Sequence, residues 1–124
     1  MKIILIIPCF NESGSIPNLL SEIAALNQKE FDTLVIDDGS SDLTFELASQ
    51  RSDTIKLPKN LGIGGAVRTG IKYAFDAGYD ICIQVDGDGQ HPPEEVKKLL
   101  SFYQRNQCSV VIGSRYLDSN GFQS

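Results

Sequence analysis

Ile3-Ile4-Leu5-Ile6-Ile7, running into Pro8-Cys9-Phe10-Asn11-Glu12, decides how the rest of this chain is read. The first five residues are apolar without alternation, which fits a strand covered on both faces rather than one with a wet side. Pro8 and the polar pair Asn11-Glu12 end the run too early for a signal peptide or a membrane span, so the expectation is a cytoplasmic domain with a buried first strand. Beyond the loop, Ile16, Leu19, Leu20, Ile23 and Leu26 recur at helical spacing, with Ser15 at the cap and Pro17 in the first turn. Thr33-Leu34-Val35-Ile36 then reads as a second strand, ending in Asp37-Asp38-Gly39-Ser40-Ser41-Asp42.

The same alternation runs on. The polar cluster opens a second helix carrying Leu43, Leu47 and Ala48, and Thr54 to Leu57 forms a short third strand closed by Pro58. Asn60-Leu61-Gly62-Ile63-Gly64-Gly65-Ala66 leads into a helix through Val67, Ile71, Ala74 and Phe75, stopped at Gly78. Ile81 to Val85 is a fourth strand, Pro92 and Pro93 start a helix with Val96, Leu99, Leu100 and Tyr103, and Ser109 to Ile112 is a fifth strand. Strands alternating with helices predict an α/β fold with a mostly parallel, doubly wound sheet and helices on both faces. Ligands bind such sheets outside the carboxyl ends of the strands, and every polar cluster here follows a strand. All of them are therefore expected on one rim.

With 124 residues and 41% apolar content, residues 1–124 are expected to form one domain. A net charge of −5 and a pI near 4.7 argue against a nucleic-acid binder, so any bound phosphate must be met locally by metal, amides or single basic residues. Cys9, Cys82 and Cys108 lack metal-ligand or redox spacing and read as small buried hydrophobes in a reducing compartment.

The sharpest chemistry lies in Asp86-Gly87-Asp88-Gly89-Gln90. Two acids and an amide at alternating positions can all offer oxygen to one hard divalent cation, magnesium or manganese, and Gly87 lets the chain turn between them. The alternative is a solvated acidic turn before a helix, with His91 outside any ligand set. After the first strand, Phe10 could line a base pocket while Asn11 and Glu12 fix the loop, or the segment is an ordinary turn. Asp37 or Asp38 can accept hydrogen bonds from a nucleobase, while Ser41 or Asp42 serves as a helix cap. The Gly-rich element follows the third strand without a G-x-G-x-x-G or GK[ST] spacing, which argues against a dinucleotide fingerprint or P-loop. Arg115, after Gly113-Ser114, can grip a phosphate or sit in a surface ion pair.

Taken together and in order, Pro8 to Glu12, Asp37 to Thr44, Asn60 to Ala66, Asp86 to Glu94 and Gly113-Ser114-Arg115-Tyr116 resemble family 2 glycosyltransferases of the GT-A fold, closest to the polyprenyl-phosphate mannosyl- and glucosyltransferase branch. The resemblance spans about residues 3 to 117 and implies a Rossmann-like, three-layer α/β/α fold. It implies that Pro8, Phe10, Glu12 and Asp38 surround the nucleoside, with Asp37 in support and Gly65 and Gly87 at close backbone approaches. Asp86, Asp88 and Gln90 would hold Mg2+ or Mn2+ against the diphosphate of a GDP- or UDP-sugar, with Asp88 and Arg115 closest to the chemistry. The implied reaction is inverting transfer to an acceptor, a lipid phosphate in that branch, at the cytoplasmic face of a membrane.

Two departures from the family pattern stand out. Position 87 is Gly where relatives commonly carry Ala, and the chain stops at Ser124 where relatives continue with acceptor-binding segments. The expectation is therefore a donor-binding part, whose exposed apolar face would favour a homo-oligomer. A non-catalytic nucleotide-sugar binding module is the alternative. A phosphoacceptor signalling domain is a third reading, weakened by Arg115 where that class has Lys and by the unexplained Gln90.

Overall fold

The computed structural model describes residues 2–26, 30–87 and 110–112. Within them the order is β1 (Ile3–Cys9), α1 (Ile16–Ala24), β2 (Asp32–Asp37), α2 (Thr44–Ser49), β3 (Asp53–Lys56), α3 (Ile63–Asp76), β4 (Ile81–Gln84) and β5 (Val110–Ile112). The strands form one sheet in the order β3-β2-β1-β4-β5, parallel at every pairing. The expected helix from Pro92 to Tyr103 lies outside the described residues.

Both faces of β1 are covered, as its unbroken apolar run requires. Its odd residues Ile3, Leu5, Ile7 and Cys9 join Ile16, Leu19, Leu20 and Ile23 of α1 and Ala48 of α2 in one core. Its even residues Ile4 and Ile6 join Leu34, Ile36, Leu57, Ala66, Ala74 and Cys82 in a second core under α3. The period-two alternation thus assigns each side chain of the central strand to one of two helical layers. Cys9 and Cys82 are buried as expected, and Cys108 lies outside the described residues.

Three helix readings need correction. The buried face of α3 is Ala66, Gly70 and Ala74, whereas Ile71 is 39% and Phe75 82% exposed. Spacing of i, i+4 and i+8 selects one face, but here the face is chosen by small size. A Cβ on Gly70 would stand 2.4 Å from Ile6 Cγ2, so α3 rides closer to β1 than a larger residue permits. Leu43 does not enter the core; it occupies the cap position of α2 and is 62% exposed. Ser15 does cap α1 by position, yet its hydroxyl makes no capping bond, and α1 ends before Leu26.

The ladder explains where the sheet opens. β1 pairs with β2 as far as Cys9↔Asp37, but with β4 only as far as Ile6↔Gln84. Val85 N–H to Ile6 O, at 2.9 Å, is the last rung between them. Pro8, which has no N–H to give, sits past that rung, so its lack of a donor leaves no gap in the β1–β4 ladder. This divergence falls where the strand order reverses.

Candidate functional site

The loops at this end of the sheet are joined to one another by hydrogen bonds. Asn11, in the left-handed region at φ 52°, donates its N–H to Ser40 Oγ at 2.8 Å and accepts the Ser41 N–H on Oδ1 at 2.9 Å. Asparagine tolerates that conformation better than most residues, because its short amide can bond locally. The Glu12 N–H goes to Thr44 Oγ1 at 2.9 Å and the Ser13 N–H to Asp42 Oδ2 at 3.3 Å. The loop after β1 is thereby fastened along the loop after β2.

Asp38 fastens the next loop. Its Oδ1 accepts the Leu61 N–H at 2.7 Å, its carbonyl accepts Asn60 Nδ2 at 3.2 Å, and its own N–H reaches Cys9 O at 2.8 Å. Gly39, at φ 75°, makes the approach feasible; a Cβ there would lie 2.6 Å from backbone atoms of both Lys59 and Asn60. Gly62, at φ 87°, then turns the chain into α3. Gly65 stands against Leu61, whose Cβ would be 2.7 Å from an added methyl.

The loop after β4 closes the ring. Gly87 is buried against β1, with room for no side chain: a Cβ would be 2.8 Å from Cys9 Cβ and 3.0 Å from Pro8 O. Ser15 Oγ donates toward Gly87 O at 2.8 Å and Glu12 Oε2 at 3.0 Å. The Gly at this position, where relatives commonly carry Ala, therefore belongs to a tight contact. Half-buried Asp86, just before it, accepts Gln84 Nε2 at 3.2 Å.

The expected site residues fall as follows. Pro8 is buried in β1, Phe10 is 44% exposed, and Glu12 is half-buried. Asp37 and Asp38 are 0% and 3% exposed. Asp37 Oδ1 takes the Ser40 N–H at 3.1 Å and also the Ser40 hydroxyl, while its Oδ2 is buried without a hydrogen-bond partner. A buried carboxylate oxygen left over is costly and stands ready to accept a donor. Asp88, Gln90 and Arg115 lie outside the described residues. Asp42, one residue before the Leu43 cap position, accepts the Thr44 N–H at the start of α2 at 2.9 Å, whereas Ser41 is turned to Asn11.

Carboxylates dominate the electrostatics. Cys9 has its thiol pushed up to about 12, first by burial and then by the charges of Asp37, Glu12, Asp42 and Asp38. One thiol thus senses four acids converging on the rim. Burial of Asp42 opposes its ionisation, but hydrogen bonds from Thr44 and Ser13 prevail and hold its carboxyl at about 2. Among the described residues no three His, Cys, Asp or Glu side chains are grouped to hold a metal. Of the expected metal set only Asp86 is among the described residues, a half-buried carboxylate of the type that suits a hard cation. A depression of about 450 Å3 at the opposite rim, lined by Phe31, Asp32, Gln50 and Arg51, lies where the strands begin.

Asn11 fixes its loop as read from the sequence, whereas sequence reasoning missed Ser15, Asn60 and Thr44 as fasteners of the site. Asn11 was legible as a turn residue, but its partners are about thirty positions away.

A sheet fold of this kind is shared with known proteins. The family model described as Glycosyl transferase family 2 matches residues 4–123. The chain belongs to the family 2 glycosyltransferases. It is 30% identical to a UDP-N-acetylglucosamine–dolichyl-phosphate N-acetylglucosaminyltransferase of Methanococcus voltae, across 98% of this chain and 55% of that protein. It is 37% identical to a dolichol-phosphate mannosyltransferase of Pyrococcus furiosus, across 94% of this chain and 34% of that one. The crystal structure of residues 1–349 of S. aureus TarS in complex with UDP-GlcNAc superposes with a TM-score of 0.69 at 25% identity, over 86% of this chain and 32% of that chain. The fold is accordingly the GT-A type of α/β sheet that the resemblance implied. This family 2 chain spans about half the length of the first relative named, or less. No helix among its described residues is long and apolar enough to cross a membrane.

Proposed function

We propose that residues 1–124 form the donor-binding unit of a metal-dependent, inverting glycosyltransferase that takes a GDP- or UDP-sugar and serves a polyprenyl-phosphate acceptor. The observation that carries this reading is the fastening of four loops around the point where strand order reverses, with acids on three of them. Such a rim suits a nucleoside diphosphate only if a cation accompanies it. The names of the relatives, several of them polyprenyl- or dolichyl-phosphate transferases, support the acceptor class.

In this reading Phe10 and the buried Pro8 give an apolar wall for the base, while Glu12 and Asp38 face the nucleoside. Asp37, wholly buried and bonded to Ser40, supports them from behind. Asp86, Asp88 and Gln90 would hold Mg2+ or Mn2+, which would supply positive charge to the diphosphate of the donor. Arg115 pairs with a phosphate of the donor or acceptor. A lipid phosphate is already ionised, so attack on the anomeric carbon needs no strong general base.

Calorimetry of UDP and GDP with and without Mn2+ tests the reading. One of the two is expected to bind with Mn2+ present and to lose most of its affinity without it or in Asp88→Ala. Metal-independent binding, or no binding of either, would overturn the proposal.

A further inference from the structure

Ser15 stands at the cap of α1 and leaves that helix uncapped by its side chain. A Ser at such a position ordinarily gives its oxygen to an N–H of the first turn, which stabilises the helix. Here the hydroxyl is turned the other way. Three acceptors lie within its reach: Gly87 O at 2.8 Å, Glu12 Oε2 at 3.0 Å and Glu12 O at 3.4 Å. A hydroxyl has one proton, so the Gly87 carbonyl and the Glu12 carboxylate compete for it.

The two competitors belong to different ends of the rim. Glu12 follows β1 beside Phe10, and its own N–H is fixed by Thr44 on the far side. Gly87 is the residue between the two acids of the turn after β4, already pressed on Cys9 and Pro8 from below. Gly87 is thus held by the β1 strand on one side and by Ser15 on the other.

We propose that Ser15 is a positioning residue that couples the nucleoside end of the pocket to its metal end. With Glu12 unoccupied, the Ser15 proton is divided between the carboxylate and the Gly87 carbonyl. When a ligand hydroxyl or N–H occupies the Glu12 carboxylate, the proton goes to Gly87 and fixes the turn in the geometry that receives the cation. The inference rests on the donor-binding reading above and deepens it by naming how one half of the site is set by the other.

The test is titration of Mn2+ into the full chain saturated with UDP or with GDP, for wild type, Ser15→Ala and Ser15→Thr, with the 13C shift of the Gly87 carbonyl followed in the metal-free protein. Ser15→Ala is expected to weaken Mn2+ binding by about three- to tenfold, as loss of one hydrogen bond implies, and to move the Gly87 carbonyl resonance. Ser15→Thr, which keeps the hydroxyl, is expected to restore both. If Ser15→Ala fails to fold, Ser15→Cys, close in shape with a weak donor, carries the same comparison. A wild type that requires Mn2+ beside an unaffected Ser15→Ala overturns this inference alone. A wild type whose UDP and GDP binding ignores Mn2+ overturns the donor-binding reading, and this inference falls with it.

Discussion

Single residues at the rim are held in states that ordinary side chains resist. Gly39→Ala would place a methyl into the Lys59–Asn60 backbone at a positive φ, so about 2 kcal/mol or more of stability is expected to be lost, read as a lower urea midpoint. The depressed Asp42 carboxyl has a defined pH signature. Its folded value lies below the ordinary one, so its stabilisation is full above about pH 4 and is lost as pH falls toward about 2. Asp42→Asn should flatten acid unfolding in that window, measured by circular dichroism across pH; an unchanged slope would contradict the assignment. Cys9 and Cys82 have thiols raised to about 12 and about 11 by burial, Cys9 further by acids, so in a Cys108→Ser background neither should react with Ellman's reagent at pH 8 until the chain unfolds. The acids themselves were legible in the sequence, because Asp37-Asp38-Gly39-Ser40 and Asp86-Gly87 follow apolar runs. Their partners were not, since Asp38 to Leu61 and Ser15 to Gly87 are bonds across the fold that no local spacing encodes.

At the scale of elements, α3 separates what periodicity can tell from what it cannot. Its helical character and its stop near Gly78 were readable from spacing, but two faces competed for the core. Ala66, Gly70 and Ala74 won over the stripe with Ile71 and Phe75, because close approach to β1 at Ile6 demands small residues. Gly70→Val is therefore expected to cost about 1–3 kcal/mol through overpacking. Ile6→Ala should relieve part of that cost, so that the double variant is less destabilised than the sum of the singles in a denaturation cycle. Phe75→Ser, at an 82% exposed site, should change stability by no more than about 0.5 kcal/mol. β1 shows the opposite case. Its five apolar residues announced a strand buried on both faces, and all seven residues of the observed strand are buried.

For the whole molecule, the parallel order β3-β2-β1-β4-β5 turns separate motifs into neighbours. The alternation of strands and helices gave the layers and the shared rim. The early parting of β1 from β4 depends on where pairing ends and had no signal in composition or period. The central claim is that the loops after β1, β2, β3 and β4 act as one donor pocket. Amide chemical-shift mapping during titration with UDP or GDP and Mg2+ tests it most directly. The account predicts that Phe10 to Glu12, Asp37 to Ser40, Leu61 to Gly65 and Asp86 to Gly87 shift together with one dissociation constant, while Asp32, Asp53 and Asp80 at the opposite rim stay still. Shifts confined to one loop, or centred on the opposite rim, would contradict it.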